Sequence, residues 1–137
     1  MRIQLIYPSW PRLHPQTHYA LPPLGIAVAA ALTPPEHEVA VTDENVSGID
    51  YDSPADLVGI STLLVSQAPR AFAIADEYRK RGVPVVIGGL TASCLPETCL
   101  EHADAVVVGE AEGIWPRVVA DARDGRLQGV YRRDGFA

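Results

Sequence analysis

The stretch VVIGGLTAS, residues 85–93, decides how this chain is read. Val85, Val86 and Ile87 form a β-branched run without polar alternation, the pattern of a short strand covered on both faces. Gly88 and Gly89 then end it, followed by Leu90, Thr91, Ala92 and Ser93. Two adjacent glycines remove two Cβ atoms, so another backbone or a ligand can approach closely. They also cost chain entropy, which something at that strand end must offset.

Similar apolar runs recur at residues 3–7, 39–42, 57–60 and 105–108, and the run around Ile87 extends back to Val83. Helical stretches lie between them. Residues 21–32 are rich in Ala and Leu, with Pro22 and Pro23 in the first turn, where proline is tolerated, and Pro34-Pro35 beyond the end. Residues 67–81 form the clearest helix, with Ser66 as N-cap and Pro69 in the first turn. Arg79, Lys80 and Arg81 favour its negative end, and Gly82 stops it. Its stripe of Ala68, Phe72, Ala75 and Tyr78 reads as core. Pro96 opens a short helix to about Glu101, and Glu112 or Gly113 opens another to Arg123. Residues 44–55 are polar and too short for a crossover helix, and residues 129–137 read as an edge strand or a linker.

Strands alternating with helices predict an α/β, flavodoxin-like (Rossmann-like) three-layer sandwich. Its expected sheet is five-stranded and parallel, in the order 2-1-3-4-5. Such sheets bind ligands beyond the carboxyl ends of their strands. The 137 residues suit one domain with a single core. Hydrophobic residues make up 47%, charged residues 20%, and the formal net charge is −6. No basic run is longer than Arg79-Lys80-Arg81, which argues against nucleic acid or an anionic membrane as partner. No apolar run approaches a membrane span and the start lacks a signal-peptide layout, so a cytoplasmic location is expected. Cys94 and Cys99, spaced C-x4-C, fit neither a zinc knuckle nor a redox pair and read as structural or incidental.

The unusual residues gather at the carboxyl ends of the predicted strands. A long loop with Ser9, Trp10 and several prolines follows the first, Ser61-Thr62-Leu63-Leu64 the third, the double glycine the fourth, and Gly109-Glu110-Ala111-Glu112 the fifth. Neither G-x-G-x-x-G nor G-x4-G-K-[ST] occurs, and the first loop lacks the Ser/Thr-rich phosphate cradle that a flavin mononucleotide needs. Glu110 and Glu112 suit a helix start better than acid–base work. His14 and His18 share one loop, without the carboxylate that would orient a metal-bound histidine.

Taken in order, PPLGIAVAAAL (22–32), HEVAVTDEN (37–45), ADLVGIST (55–62), VPVVIGGLTAS (83–93) and ADAVVVGEAEGIWPRVV (103–119) form a set. The set resembles the N-terminal cobalamin-binding domain of cobalamin-dependent radical SAM enzymes. The resemblance spans about residues 1–125, and the Gly88-Gly89 turn is also similar to one in cobalamin-dependent methionine synthase. It implies that the benzimidazole tail of cobalamin inserts between strands where glycines leave room. Ser61, Thr62 and Leu63 would then face the tail from the third strand, and Gly88, Gly89, Leu90 and Thr91 from the fourth. Gly109 and Glu110 would lie along the nucleotide, and Ser9, Trp10, Leu24, Gly25, Leu64 and Glu112 complete the implied contacts. A side chain at Gly89 would fill the slot, costing cofactor rather than stability.

The chain departs from the family pattern at the metal. It lacks the D-x-H-x-x-G that supplies a cobalt-ligating histidine, so no protein ligand to the metal and no catalytic residue is assigned. The implied state is base-off and His-off, with Leu63, Leu64 and Val65 covering the lower face. It also lacks C-x3-C-x2-C. S-adenosylmethionine and an iron–sulfur cluster are therefore expected only in a missing catalytic domain of the same longer chain. Residues 1–128 would form the cobalamin-binding domain and 129–137 the start of the linker. The implied role is methyl transfer from S-adenosylmethionine to a substrate, with no activity alone. A radical SAM cyclase domain and a stand-alone flavodoxin-like regulatory or interaction domain are the alternatives.

Overall fold

The computed structural model describes residues 1–10 and 23–133. The readings at Pro22, His14, His18 and the expected helix start at Leu21 lie outside the described residues. Strands β1 (Arg2–Tyr7), β2 (Glu38–Asp43), β3 (Leu57–Thr62), β4 (Val85–Gly89), β5 (Ala105–Val108) and β6 (Val130–Arg132) form one sheet. Every pairing is parallel, and the order is β2-β1-β3-β4-β5-β6. The expected order holds, with one strand added to the expected five. The sixth is held by Tyr131, which is fully buried and donates its hydroxyl to Asp121 Oδ2 at 2.7 Å. A strand of three residues with one inward side chain is too short to leave a periodic signal, so Val130 to Arg132 belong to the sheet and not to a linker.

Helices α1 (Leu24–Leu32) and α5 (Trp115–Arg123) cover one face, and α2 (Ala68–Lys80), α3 (Leu90–Cys94) and α4 (Pro96–Leu100) cover the other. The sheet's pleat divides the core accordingly. Ile3, Leu5, Leu57, Val86 and Val107 face α1 and α5, while Ile6, Val58, Ile60, Val85 and Ile87 face α2 to α4. Each of these buried aliphatic side chains is worth roughly 1.5–3 kcal/mol relative to exposure, which is why short strands suffice.

Several element ends differ from expectation. α2 is preceded by a 3-10 turn (Val65–Gln67), so Ser66 is not its N-cap, and Gln67 occupies that place. Pro69 does sit in its first turn, and Gly82 at φ +79° stops it, with Val83 N–H reaching Tyr78 C=O at 3.0 Å. α5 starts at Trp115, so Glu110 and Glu112 precede the helix and do not occupy its first turn. Residues 44–56 connect β2 to β3 without a helix, as expected from their length.

Candidate functional site

The register stacks two rows of residues on the sheet face beneath α1 and α5. In the outer row, at the carboxyl ends, Ser61 lies opposite Gly88. In the inner row Leu5 lies opposite Gly59, and Gly59 opposite Val86. Three of these floor positions carry almost no side chain. Above them the small residues Gly25 and Ala29 face the sheet from α1, and Trp115 closes the side from α5. The result is a cavity of about 350 Å³, lined by these residues together with Leu24, Leu63, Val107, Gly109, Glu110 and Glu112. A second cavity of about 460 Å³ adjoins it at the strand ends and adds Tyr7, Thr62, Leu90 and Ser93. Both have the size of small-molecule sites, roughly 300–1,000 Å³.

The glycines play different parts. A Cβ on Gly88 would meet only Val107 Cβ, at 3.7 Å, an ordinary contact, so its absence leaves open floor. A Cβ on Gly59 would lie 2.8 Å from Leu5 Cδ2 and 3.2 Å from the Trp115 ring, so neighbouring side chains already use that space. Gly89 has φ +85°, and a Cβ there would collide with the Thr62 backbone, 2.7 Å from its nitrogen. The expectation that Gly89 keeps a slot open for a tail is therefore corrected: it is glycine because β3 passes against it. β3 and β4 are paired through Thr62 and Gly89, so the opening lies above the sheet and not between its strands.

Side-chain hydrogen bonds order the loops around the opening. Buried Gln67 accepts from Leu63 N–H at 2.8 Å and Leu64 N–H at 2.9 Å, and donates to Pro8 C=O at 2.6 Å. It ties the loop after β3 to the loop after β1. Glu44 accepts from Ser9 N–H and Oγ–H at 3.0 and 2.9 Å and from Arg70 Nη2 at 2.6 Å. The Arg70 guanidinium holds the Glu44 carboxyl below its usual range, against the opposing effect of burial. Buried Thr62 and Thr91 join their hydroxyls at 2.8 Å, and Thr62 Oγ1 also accepts from Thr91 N–H. Gly109 N–H reaches Ser93 Oγ at 2.9 Å. The Tyr7 hydroxyl is buried without a hydrogen-bond partner among the described residues, and burial raises its pKa. Burial also pushes the Cys99 thiol up to about 11, which leaves it inert.

The expected site residues divide into three groups. Leu24, Gly25, Ser61, Leu63, Gly88, Gly89, Gly109, Glu110 and Glu112 line the first cavity, and Thr62 and Leu90 the second. Ser9, Trp10, Leu64 and Thr91 line neither. Ser9 serves the Glu44 network, and Trp10 packs edge-on against Tyr7 with ring centres 5.9 Å apart. Sequence reasoning missed Leu5, Ala29, Gly59, Val86 and Trp115. The signal at Gly59 was present: a lone glycine within the run Leu57-Val58-Gly59-Ile60 marks a close approach inside a strand. Among the described residues no group of three or more His, Cys, Asp or Glu side chains is placed to hold a metal ion. No helix among them is long and apolar enough to cross a membrane.

A parallel sheet with a glycine-floored cavity at its carboxyl edge defines a ligand-binding α/β domain. Residues 16–119 match the family model of the B12 binding domain, and the chain belongs to that family. Among curated proteins it is similar to bacteriochlorophyllide d C-8(2)-methyltransferase of Chlorobaculum tepidum, 42% identical over 114 residues. That match covers 82% of this chain and 25% of the relative. It is also similar to the C-12(1)-methyltransferase of the same organism, 30% identical over 112 residues, covering 80% of this chain and 24% of that one. An uncharacterized methyltransferase of Synechocystis sp. is 30% identical over 149 residues, covering 96% of this chain and 27% of that protein. The chain thus spans about a quarter of the length of the curated relatives it matches. No solved structure matches it.

Proposed function

We propose that this chain is the cobalamin-binding module of a radical SAM methyltransferase, holding the cofactor with its lower base off the cobalt and no histidine on the metal. The observation that carries the reading is the slot between the sheet and helices α1 and α5, floored by Ser61 and Gly88 and closed at its inner end by Leu5 and Trp115 over Gly59. Its residues fit a flat heteroaromatic tail: a cradle that a Cβ at Gly88 would partly fill, apolar walls, and polar side chains gathered at the mouth. Burying a bicyclic ring of about 150–200 Å² contributes roughly 4–5 kcal/mol before ordering costs, about three decades of affinity.

Leu63, Leu64 and Val65 are exposed in the loop after β3, where Leu63 lines both cavities. They offer an apolar ledge with no lone pair for a metal, and Gln67 fixes the backbone of Leu63 and Leu64. Glu110 and Glu112 stand at the mouth, where carboxylates can accept hydrogen bonds from a ribose. When bound, cobalamin supplies a cobalt centre that carries a methyl group between S-adenosylmethionine and a substrate. Reduction of S-adenosylmethionine needs an iron–sulfur cluster that Cys94 and Cys99 cannot ligate, so that chemistry belongs to a catalytic domain beyond this chain. The methyltransferase names of the relatives support the reaction class.

Mixing the chain with hydroxocobalamin, followed by gel filtration and a visible spectrum, tests the reading. Corrinoid absorbance should travel with the protein, and the loaded chain with reductant should leave S-adenosylmethionine unconsumed. Protein eluting free of corrinoid refutes cobalamin binding. Turnover by the chain alone refutes its role as a non-catalytic module.

A further inference from the structure

The slot is chemically uneven along its depth, and the unevenness bears on which corrinoid it takes. Among the described residues, polar side chains line it only at the outer end: Ser61 in the outer row, and Glu110 and Glu112 past the end of β5. The inner end is walled by Leu5, Gly59, Val86, Ala29 and Trp115. Their backbone hydrogen bonds are used within the sheet and α1, since Leu5, Gly59 and Val86 are each paired to strands on both sides. The one polar atom on that wall is also occupied, because Trp115 Nε1 donates to Thr33 Oγ1 at 2.8 Å. Thr33 Oγ1 in turn donates to Ala29 C=O at 2.8 Å, which fixes the indole across the end of the slot. Among the described residues, an entering ring therefore finds hydrogen-bonding partners near the strand ends and none at its far edge.

Natural corrinoids differ in that far edge: benzimidazole and phenolic bases present carbon and methyl groups, whereas a purine presents ring nitrogens and an exocyclic amine. We propose that the inner wall of Leu5, Val86, Ala29 and Trp115 selects corrinoids by their lower base, admitting bases with an apolar far edge and rejecting purines. The inference rests on the tail-in-slot reading above. Polar groups buried there without partners weaken binding by about ten- to a hundredfold.

The test compares dissociation constants of the chain, from visible-spectrum titration, for three probes. These are a corrinoid with a cresol lower base, one with an adenine lower base, and cobinamide, which has no nucleotide. Cresol has no nitrogen to give to cobalt and adenine gives one weakly, so detachment from the metal hardly enters the comparison. The cresol corrinoid should bind at least about tenfold more tightly than the adenine corrinoid. Equal binding of these two, or tighter binding of the adenine form, overturns the selectivity; if both still exceed cobinamide, the tail-in-slot reading survives. Equal binding of all three means that no base enters the slot, and both fail. No binding of any probe while hydroxocobalamin still binds overturns this inference alone; loss of hydroxocobalamin binding as well overturns the cobalamin reading with it.

Discussion

Gly88 and Gly89 are neighbours in the chain with opposite reasons for lacking a side chain. At Gly88 the space a Cβ would take is open and faces the slot; at Gly89 it is filled by the Thr62 backbone. Gly89→Ala should therefore lower unfolding stability by more than about 2 kcal/mol, read from a urea midpoint, because it meets both a positive φ and a backbone contact. Gly88→Val should shift that midpoint little and weaken cobalamin binding at least about tenfold, since its side chain stands in the slot. A folded Gly88→Val chain that binds cobalamin normally would remove the slot from the account. The pair was visible in the sequence as a strand broken by glycines, but the division of labour was not. It depends on the phase of the pleat and on β4 running two residues beyond Ile87.

Among the elements, the loop after β3 is held by one side chain. Gln67 is fully buried and serves two N–H groups and one carbonyl from loops on either side. Gln67→Leu should cost about 2–4 kcal/mol by orphaning these groups, and should raise hydrogen exchange at Leu63 and Leu64 ahead of the strands. Unchanged exchange there would show that the loop is held otherwise. The loop after β1 depends on Glu44 instead. Its carboxyl pKa is lowered from 4.5, chiefly by the hydrogen bonds from Arg70. A lowered pKa in the folded state means a contribution fully present above 4.5 and lost as pH falls through the folded value. Glu44→Gln should thus cost about 1 kcal/mol at neutral pH, discounted for the partial exposure of Arg70. The gap to the wild type should close in the acid range, and a gap independent of pH would contradict the assignment. Neither network was legible beforehand, because each joins residues more than 20 positions apart. The helix α2 was legible, since stripe, proline and terminal glycine agree; its start was not, because a 3-10 turn precedes it and puts Gln67, with no side-chain cap hydrogen bond, where Ser66 was expected.

For the molecule as a whole, strand order and layer arrangement follow from alternating apolar runs and helices, and the position of the site follows from the parallel sheet. The inner wall escaped the reading because Leu5, Val86 and Trp115 look like core in any sequence, and most of their surface is core. The central claim is that the tail lies in the slot, away from the metal, with no histidine in its place. Electron paramagnetic resonance of the cobalt(II) form bound to uniformly ¹⁵N-labelled protein tests it most directly. The account predicts cobalt hyperfine lines without nitrogen splitting. A doublet would identify a labelled protein nitrogen, from His14 or His18, and overturn the His-off state. A triplet would place the unlabelled base of the cofactor on cobalt, contradicting the claim that it occupies the slot.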